Sequence, residues 1–403
     1  MPQENRAMHD LVISNARIFD GANLLDGLRS VGIAKDRISF VGPSATPARK
    51  EIDAAGRFLM PGLIDCHLHL LNFWTALDEA SMAADINGEL KTRLRALLEA
   101  GVTTVKSVGD SEDDILRVRD MLAVGELVGP RLYATGGSFA APGSHPATTV
   151  TGKNPWMRNR VTFETDSPQQ AREEVRRKAE RRVDAIKIVH QGGCKHGEPY
   201  FFRVPALGID VQILRLERLV LEAIIDESHK QGLRATVHTV DQRAAIEALE
   251  AGADGLEHGV VHEPLTSDRI IELLLRNHGS YVPTLWLIAL EEDTAATRYA
   301  NLKRIIEAGV LTPMGTDTFC GFGKFGEIAH IEIEHYARAG IPPLRILKMA
   351  TSEAAQHLDA DDIGSIAPGK LADMIVVDGD PASDISALRR ISTVIKNGEI
   401  VPT

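Results

Sequence analysis

The chain has 403 residues, of which 44% are hydrophobic and 25% are charged, so it can fill a large core and does not have the composition of a disordered protein. Its 45 Lys and Arg stand against 56 Asp and Glu, and the formal net charge of -11 lacks the basic surface that nucleic-acid binding requires. We therefore expect a small-molecule substrate and no nucleic-acid partner.

The first 60 residues predict short β-strands. Apolar, β-branched runs separated by turn residues cover residues 11–19, 31–42 and 51–60. Lys35 and Asp36 mark a turn inside the second run.

Residues 61–361 follow a different pattern, in which short apolar runs alternate with helical segments. The helices are amphipathic, as in residues 88–101, where the leucines fall on one face and Gly101 can end the helix. Eight strands can be placed, near residues 62–67, 103–108, 130–135, 184–190, 233–238, 254–259, 279–285 and 311–317. Repeated βα units of this number predict an α/β fold with a closed (β/α)₈ TIM barrel, although the pattern alone also allows an open doubly wound sheet.

The last 42 residues return to short strands, at 373–380 and 391–401, and Asn397-Gly398 is a strong hairpin signal. A few strands at each end would be marginally stable by themselves. We therefore expect residues 1–60 and 362–403 to meet in one small β-sandwich domain, with the catalytic barrel of residues 61–361 inserted between them.

Two histidines end the first predicted barrel strand. His67 and His69 are two residues apart, and the two-residue period of a strand points both imidazoles to the same side, where they can hold one metal ion. The pair alone is weak evidence, because polar residues often end a strand without binding anything.

Later predicted strands also end in side chains that ligate metals. His238 ends the fifth strand, His258 follows Glu257 at the end of the sixth, and Asp317 ends the eighth. In a barrel these ends converge on the face where active sites lie. The coincidence favours a metal site at the mouth of the barrel.

Lys187 lies inside the apolar run of the fourth strand, where its ammonium group would be desolvated. Burial favours the neutral amine. The ordinary alternative is a lysine whose stem packs while its head reaches solvent. Beside histidines, a neutral amine could instead take up carbon dioxide and become a carbamate that bridges two cations. Lys106, in the second strand, has no role that we can assign.

The segments GLIDCHLHL, AIKIVH, VHTV, LEHG and GTD, in this order and flanked by β segments, resemble the amidohydrolase superfamily. Within it, the chain is similar to the binuclear branch with a carboxylated lysine, and to the group of Xaa-Pro dipeptidases, related carboxypeptidases and ochratoxinase-like amidases. The resemblance covers nearly the whole chain.

This resemblance implies a set of roles. One metal ion would be bound by His67, His69, Lys187 and Asp317, and a second, more exposed ion by His238 and His258, with carboxylated Lys187 and a hydroxide bridging the two. Zn²⁺ is the default for such ligands, and Mn²⁺ or Co²⁺ would also fit. The implied reaction is hydrolysis of an amide-type C–N bond in an N-acyl amino acid, a dipeptide-like molecule or an aryl amide.

Asp317 would take the proton of the attacking water and deliver it to the leaving group. His145, in the loop after the third strand, could donate a hydrogen bond to the carbonyl oxygen, although loop histidines are often only solvated. Candidate substrate contacts are His190, Tyr200 and Cys320.

The chain departs from dipeptidase-like relatives at Val240, where they often carry Tyr or His, and at His190, where they often carry a small residue. These departures put recognition of a free peptide carboxylate in doubt and favour a less polar amide. The alternatives are the same site acting on a lactone, carbamate or phosphoester, a non-catalytic scaffold with this fold, and a mononuclear deaminase, against which Lys187 argues.

The cysteines Cys66, Cys194 and Cys320 are an odd, widely spaced set without a CxxC pair, which predicts neither a disulfide framework nor a zinc ribbon. The first residues are polar and lack the pattern of a signal peptide, and no apolar run approaches membrane-spanning length. We expect a cytoplasmic homo-oligomer without a membrane segment.

Overall fold

The computed structural model describes residues 9–44, 47–197, 199–204 and 208–402. Its strands are β1 (His9–Phe19), β2 (Leu24–Ala34), β3 (Arg37–Gly42), β4 (Ala48–Asp53), β5 (Phe58–Pro61), β6 (Leu63–Leu68), β7 (Val102–Ser107), β8 (Arg131–Ala134), β9 (Ser138–Ala140), β10 (Thr162–Glu164), β11 (Ile186–Val189), β12 (Tyr200–Val204), β13 (Ile209–Ile213), β14 (Ala235–His238), β15 (Gly255–Glu257), β16 (Ser280–Val282), β17 (Met374–Val377), β18 (Ile391–Lys396) and β19 (Glu399–Ile400).

The α-helices are α1 (Glu79–Asn87), α2 (Glu89–Glu99), α3 (Glu112–Ala123), α4 (Pro155–Val161), α5 (Pro168–Glu180), α6 (Arg218–Lys230), α7 (Gln242–Glu250), α8 (Asp268–Arg276), α9 (Ala295–Glu307), α10 (Glu327–Arg338), α11 (Pro343–Met349) and α12 (Ser352–His357). Short 3₁₀ helices cover Leu285–Leu290, Glu292–Thr294 and Ile385–Arg389. Within the described ranges, none of the helices combines the length and apolarity needed to cross a lipid bilayer.

Both ends of the chain contribute strands to one sheet. Its strands follow the order β19-β18-β17-β5-β1-β2-β3, and β4 also pairs with β1. β5 joins the two ends, because it is parallel to β1 and antiparallel to β17. The predicted turn between β18 and β19 has positive φ at both positions, 50° at Asn397 and 78° at Gly398. A second layer that would make this sheet a sandwich stays a prediction.

The middle of the chain forms parallel sheets. One has the order β10-β9-β11-β14-β15-β16, and a second has the order β6-β7-β8. The backbone N–H of Asp184 donates to Ala134 O at 2.9 Å and links the end of β8 to the residues before β11. Seven of the eight predicted segments therefore contain a strand within about two residues of the expected position.

The eighth predicted strand, over residues 311–317, is the exception, because this segment is not a regular strand. It pairs only through isolated bridges, from Leu311 to Ser280 and from Thr318 to Leu68. The approach to β6 is very close, since a Cβ added at Gly315 would lie 2.9 Å from Cβ of His67. The segment nevertheless joins β16 to β6 and brings its residues to the same end as the strands.

Amphipathic helices cover the parallel strands and bury their apolar faces. In α2 the buried residues are Leu90, Leu94, Leu97 and Leu98, the face that the sequence predicts. Gly101, with φ of 79°, follows this helix and leads directly into β7. Each fully buried leucine contributes about 1.5–3 kcal/mol of transfer free energy, so such faces fix the helices against the strands and the strand ends in position.

Candidate active site

The end of β6 and the segment after residue 311 bring three predicted ligands together. Nε2 of His67 lies 3.4 Å from Oδ1 of Asp317, and Nε2 of His69 lies 3.1 Å from the same oxygen. Asp65 helps to hold the two segments in register, because its carboxylate accepts hydrogen bonds from the backbone N–H of His67 and from both the N–H and the hydroxyl of Thr316. His67, in β6, and His69, just after it, therefore face the same carboxylate.

Three residues at this end of the strands have backbone conformations that favour glycine. φ is 66° at His258, 47° at Thr284 and 58° at Asp317. Such conformations cost on the order of 1 kcal/mol or more each and persist where surrounding contacts hold them. Here the N–H of Asp317 donates to His67 O at 2.6 Å, and the N–H of His258 donates to Val282 O at 2.9 Å. The strained turns direct the side chains of Asp317 and His258 toward β6.

The side chains that converge here fit a divalent cation. Ligand atoms of His67, His258 and Asp317 all lie within 4.8 Å of one another. The ring of His238 is 4.5 Å from the ring of His258, centroid to centroid. Burial holds the pKa values of His238 and His258 well below the ordinary value, so both rings are neutral, which is the form that binds metals.

Asp317 is ionised despite its buried position. Burial alone would raise the pKa of its carboxyl group, but interactions with His67, His69 and His258 hold that pKa well below its usual range. A carboxylate together with imidazoles is a donor set that suits Zn²⁺ and other divalent ions.

Lys187 lies in the wall of the same cavity and is 4% exposed. Burial lowers the pKa of its amine to about 8. Among the residues that the structure describes, none forms a hydrogen bond or ion pair with its Nζ. The carboxylation predicted for this residue stays a prediction.

A network of buried polar side chains holds His67 in place. None of these side chains could be given a role from the sequence. Glu257 Oε2 lies 2.7 Å from Nδ1 of His67, while Oε1 accepts from Nζ of Lys106 at 3.2 Å. Nζ of Lys106 also lies 2.6 Å from Nε2 of His357, whose Nδ1 is 2.8 Å from the hydroxyl of Ser280. We call Lys106, Glu257, Ser280 and His357 the buried network.

The network orients the first predicted ligand. With Glu257 accepting a hydrogen bond from the Nδ1–H group, the ring of His67 turns Nε2 toward Asp317. Burial alone would raise the pKa of Glu257, but the charge of Lys106 and the contact with His67 hold that pKa well below its ordinary value. Lys106 was recognisable as a polar residue in an apolar strand, but its partners are far away in the sequence.

His145 lines the cavity. Its ring stacks on Phe202 at 4.8 Å and lies 5.0 Å from the ring of His238, and Nδ1 is 2.5 Å from the hydroxyl of Thr149. Burial lowers the pKa of His145 to about 3, so the ring is neutral and can donate one hydrogen bond.

The three predicted substrate contacts do not line the cavity in this structure. His190 points to the other face of the β11 end, where Nε2 lies 3.1 Å from Glu247. The two-residue period explains this, because Lys187 and Val189 face inward and His190 then faces outward. Cys320 is buried, and only its neighbour Phe319 lines the cavity. Tyr200 does not line the cavity either, but its hydroxyl accepts a hydrogen bond from Gln191, which does.

The cavity has a volume of about 200 Å³. Besides the predicted ligands and His145, its polar lining includes Gln191, Glu291 and Arg298, none of which the sequence singled out. Oε1 of Gln191 lies 2.7 Å from Nε2 of His238. Gln191 follows the predicted strand at 184–190 and could have been found from the two-residue period of that strand. Glu291 lies in irregular structure and Arg298 lies in a helix, and neither is part of a sequence motif.

The chain resembles known proteins over most of its length. The family model described as "Amidohydrolase family" matches residues 58–401. The ochratoxinase of Aspergillus niger is 24% identical, over 90% of this chain and 80% of that protein. The imidazolonepropionase of Fusobacterium nucleatum subsp. nucleatum is 22% identical, over 96% of this chain and 95% of that protein. A crystal structure of a Xaa-Pro dipeptidase with methionine bound in its active site matches with a TM-score of 0.80 and 24% identity, over 98% of this chain and 100% of that chain.

The structural similarity implies the TIM-barrel fold with α/β content. The family match and the named enzymes indicate a hydrolase that acts on C–N bonds. Because the family model extends over most of the sequence, from residue 58 to residue 401, the chain belongs to the amidohydrolase family.

Proposed function

We propose that this protein hydrolyses an amide-type C–N bond of a small molecule with the help of two divalent metal ions. The observation that carries the proposal is the convergence of His67, His258 and Asp317, whose ligand atoms lie within 4.8 Å of one another at the cavity. The full ligand set that we propose consists of His67, His69, Lys187, His238, His258 and Asp317. Zn²⁺ is our first choice, and Mn²⁺ or Co²⁺ are the alternatives.

Bound divalent ions would supply two effects, a lower pKa of water and polarisation of the scissile carbonyl group. Lys187 would contribute as a carbamate. Its neutral amine adds to carbon dioxide, so that an N–C bond forms and one proton is released, and the product is an anionic ligand. The lowered pKa of about 8 supports this step, because a substantial fraction of the amine is neutral near pH 7 to 8.

Asp317 is the proton carrier in this proposal. Its carboxylate is held at 3.1 Å from His69 and 3.4 Å from His67, which fixes its position at the cavity. It takes a proton from the attacking water and later donates it to the nitrogen of the leaving amine, so the amine departs uncharged. His145, held by Thr149 and Phe202, would donate a hydrogen bond to the carbonyl oxygen as negative charge develops there.

The same proposal includes the domain organisation. Residues 1–60 and 362–403 would form the small β domain, and residues 61–361 the catalytic barrel. The pairing of β5 with β17 supports this division, because it joins the two terminal segments directly.

A metal and activity measurement tests the proposed function. The purified protein, reconstituted with Zn²⁺, Mn²⁺ or Co²⁺, should hold about two ions per chain by elemental analysis and hydrolyse members of a panel of anilides and N-acyl amino acids. Lys187→Ala should bind less metal and lose activity by at least ~100-fold, the lower end of what one catalytic group contributes. A short carboxylic acid should restore part of that activity.

Lys153→Ala is the matched control, because Lys153 is exposed and lies outside the cavity. It should leave both metal content and activity unchanged. Near-normal activity of Lys187→Ala would contradict the bridging role. Exclusive turnover of lactones or phosphotriesters would contradict the proposed bond.

A further inference from the structure

The wall of the cavity above the predicted ligands is largely apolar. One part is an aromatic group next to His69, formed by Phe73, Trp74 and Phe319. The ring centroids are 5.3 Å apart for Phe73 and Trp74, 6.3 Å for Phe73 and Phe319, and 6.1 Å for Trp74 and Phe319. The ring of His69 lies nearly perpendicular to that of Phe73, with 5.4 Å between the two centroids. We call these three residues the aromatic pocket.

The opposite part of the wall comes from the β12–β13 hairpin. Phe202 and Val204 on β12 and Ile209 on β13 line the cavity, and alternate residues such as Phe201 face outward. Phe202 stacks on His145 at 4.8 Å, which ties the hairpin to the candidate oxyanion donor. A substrate between the hairpin and the aromatic pocket is therefore enclosed by apolar surface on both sides.

One ion pair interrupts this apolar wall. Arg298, on α9, is 5% exposed, and its NH2 atom lies 3.0 Å from Oε2 of Glu291, which is 27% exposed. Its NH1 atom approaches Thr284 O at 3.5 Å, and Thr284 in turn holds His258. Apart from histidines, Arg298 and Lys187 are the cationic residues among the described residues that line the cavity.

The ion pair with Glu291 determines which substrate groups Arg298 can bind. Glu291 already offsets the charge of the guanidinium group, so a substrate carboxylate that entered would place a second anion beside one cation. Such a carboxylate would lose its hydration in an apolar cavity without a full counter-charge. An uncharged group loses little hydration free energy when it enters, and the burial of its apolar surface stabilises the complex.

We propose that the substrates are uncharged aryl amides, with the aryl group in the aromatic pocket, and that Glu291 excludes carboxylate-bearing amides by neutralising Arg298. The choice of an amide rests on the proposed function. The exclusion of charge rests on the wall and on the ion pair alone.

Two matched substrate pairs test this. The first is acetanilide and 4-acetamidobenzoate, and the second is N-benzoyl-L-phenylalaninamide and N-benzoyl-L-phenylalanine. We expect the neutral member of each pair to have the higher kcat/KM with the metal-loaded protein and the lower Kd by calorimetry with the metal-free protein, which does not hydrolyse the ligand, by about tenfold or more in each case. Glu291→Gln should improve kcat/KM and Kd for the carboxylate members by about tenfold, because it frees the charge of Arg298.

The double variant Glu291→Gln/Arg298→Gln removes both charges and should lose this gain. It also covers the case in which Glu291→Gln alone fails to fold because it leaves Arg298 buried without a partner. Glu292→Gln is the matched control, because Glu292 is the next residue, is exposed and does not line the cavity. It should keep the discrimination of the wild type.

A wild-type preference for the carboxylate members, or a ratio that Glu291→Gln leaves unchanged, would overturn the inference. So would an absence of binding by both members of each pair. If the neutral members bind more tightly but none of the amides is hydrolysed, the proposed function fails and the exclusion of charge stands.

Discussion

The floor and the wall of the cavity differ in their residue types and in the contacts that hold those residues in place. The floor consists of His67, His69, His258 and Asp317, side chains from strand ends and strained turns that are tied to buried charged groups. The wall consists mainly of apolar side chains from a hairpin, loops and helices, among which Arg298 is paired. Floor residues define what reaction the site can perform, and wall residues define what molecule can reach it.

This difference predicts how the two regions respond to substitution. The carboxylate and the imidazoles of the floor interact at short distances in a region of low dielectric, so removing one of them affects the others. Wall residues contribute mostly through the apolar area they bury and the shape they give the cavity, so a single substitution there has a smaller effect. The following substitutions probe the contrast, starting with the floor.

Asp317→Asn should have the largest effect on activity. It removes the carboxylate that contacts His67 and His69 and the group that carries the proton in our proposal. We expect kcat to fall by about 10⁴-fold, the upper end for general acid–base catalysis, because a ligand is lost together with the proton carrier. Steady-state kinetics with the best substrate measures this, and a fall of less than tenfold would contradict the assignment.

Glu257→Gln should have an intermediate effect that appears first in metal binding. The amide can still accept from His67, but the negative charge that faces Lys106 is gone. We expect a loss of metal affinity of about 10–100-fold, as for other residues that orient a metal-binding histidine. Competition with a chelator gives the affinity.

The double variant Lys106→Met/Glu257→Gln controls for the unpaired lysine. It should be more stable than Glu257→Gln, because the buried cation without a counter-charge is removed. If metal affinity is the same in Glu257→Gln and the wild type, the buried network serves only stability.

Glu332→Gln should have the smallest effect, and it should appear in stability rather than activity. Glu332 lies behind the wall, where its carboxyl group accepts from the backbone N–H of Leu285 and Trp286 at 2.8 and 2.7 Å. Burial raises its pKa to about 8. The folded protein therefore keeps a proton that the unfolded chain has lost, so the stability from this group is present at low pH and falls as the pH rises from about 4.5 to 8.

In the wild type we expect this group to lower the free energy of unfolding by on the order of 3 kcal/mol between pH 5 and pH 8. Glu332→Gln should remove that part of the slope, whereas Glu327→Gln, an exposed position on the same helix, should keep it. Urea unfolding at several pH values measures both. An unchanged slope in Glu332→Gln would show that Glu332 is ionised in the folded state.

The floor was largely predictable from the sequence, and the wall was not. His67, His69 and His258 were found because strand periodicity and the convergence of parallel strands are local rules. Arg298 belongs to a helix, α9, whose approach to the cavity depends on tertiary packing that no local pattern encodes. His190 was misplaced for a different reason, since applying the strand period one residue further would have turned it outward.

The eight-stranded sheet has a consequence for synthesis. β5 is made early, but its antiparallel partner β17 lies roughly 300 residues later in the chain. At ordinary elongation rates the ribosome needs about 15 to 60 s to cover that distance. During this time one edge of β5 has unsatisfied backbone groups and can pair with another chain. The nascent protein is therefore most prone to aggregate before residues 374–396 emerge, and slower growth or a chaperone should help its production more than a stabilised active site would.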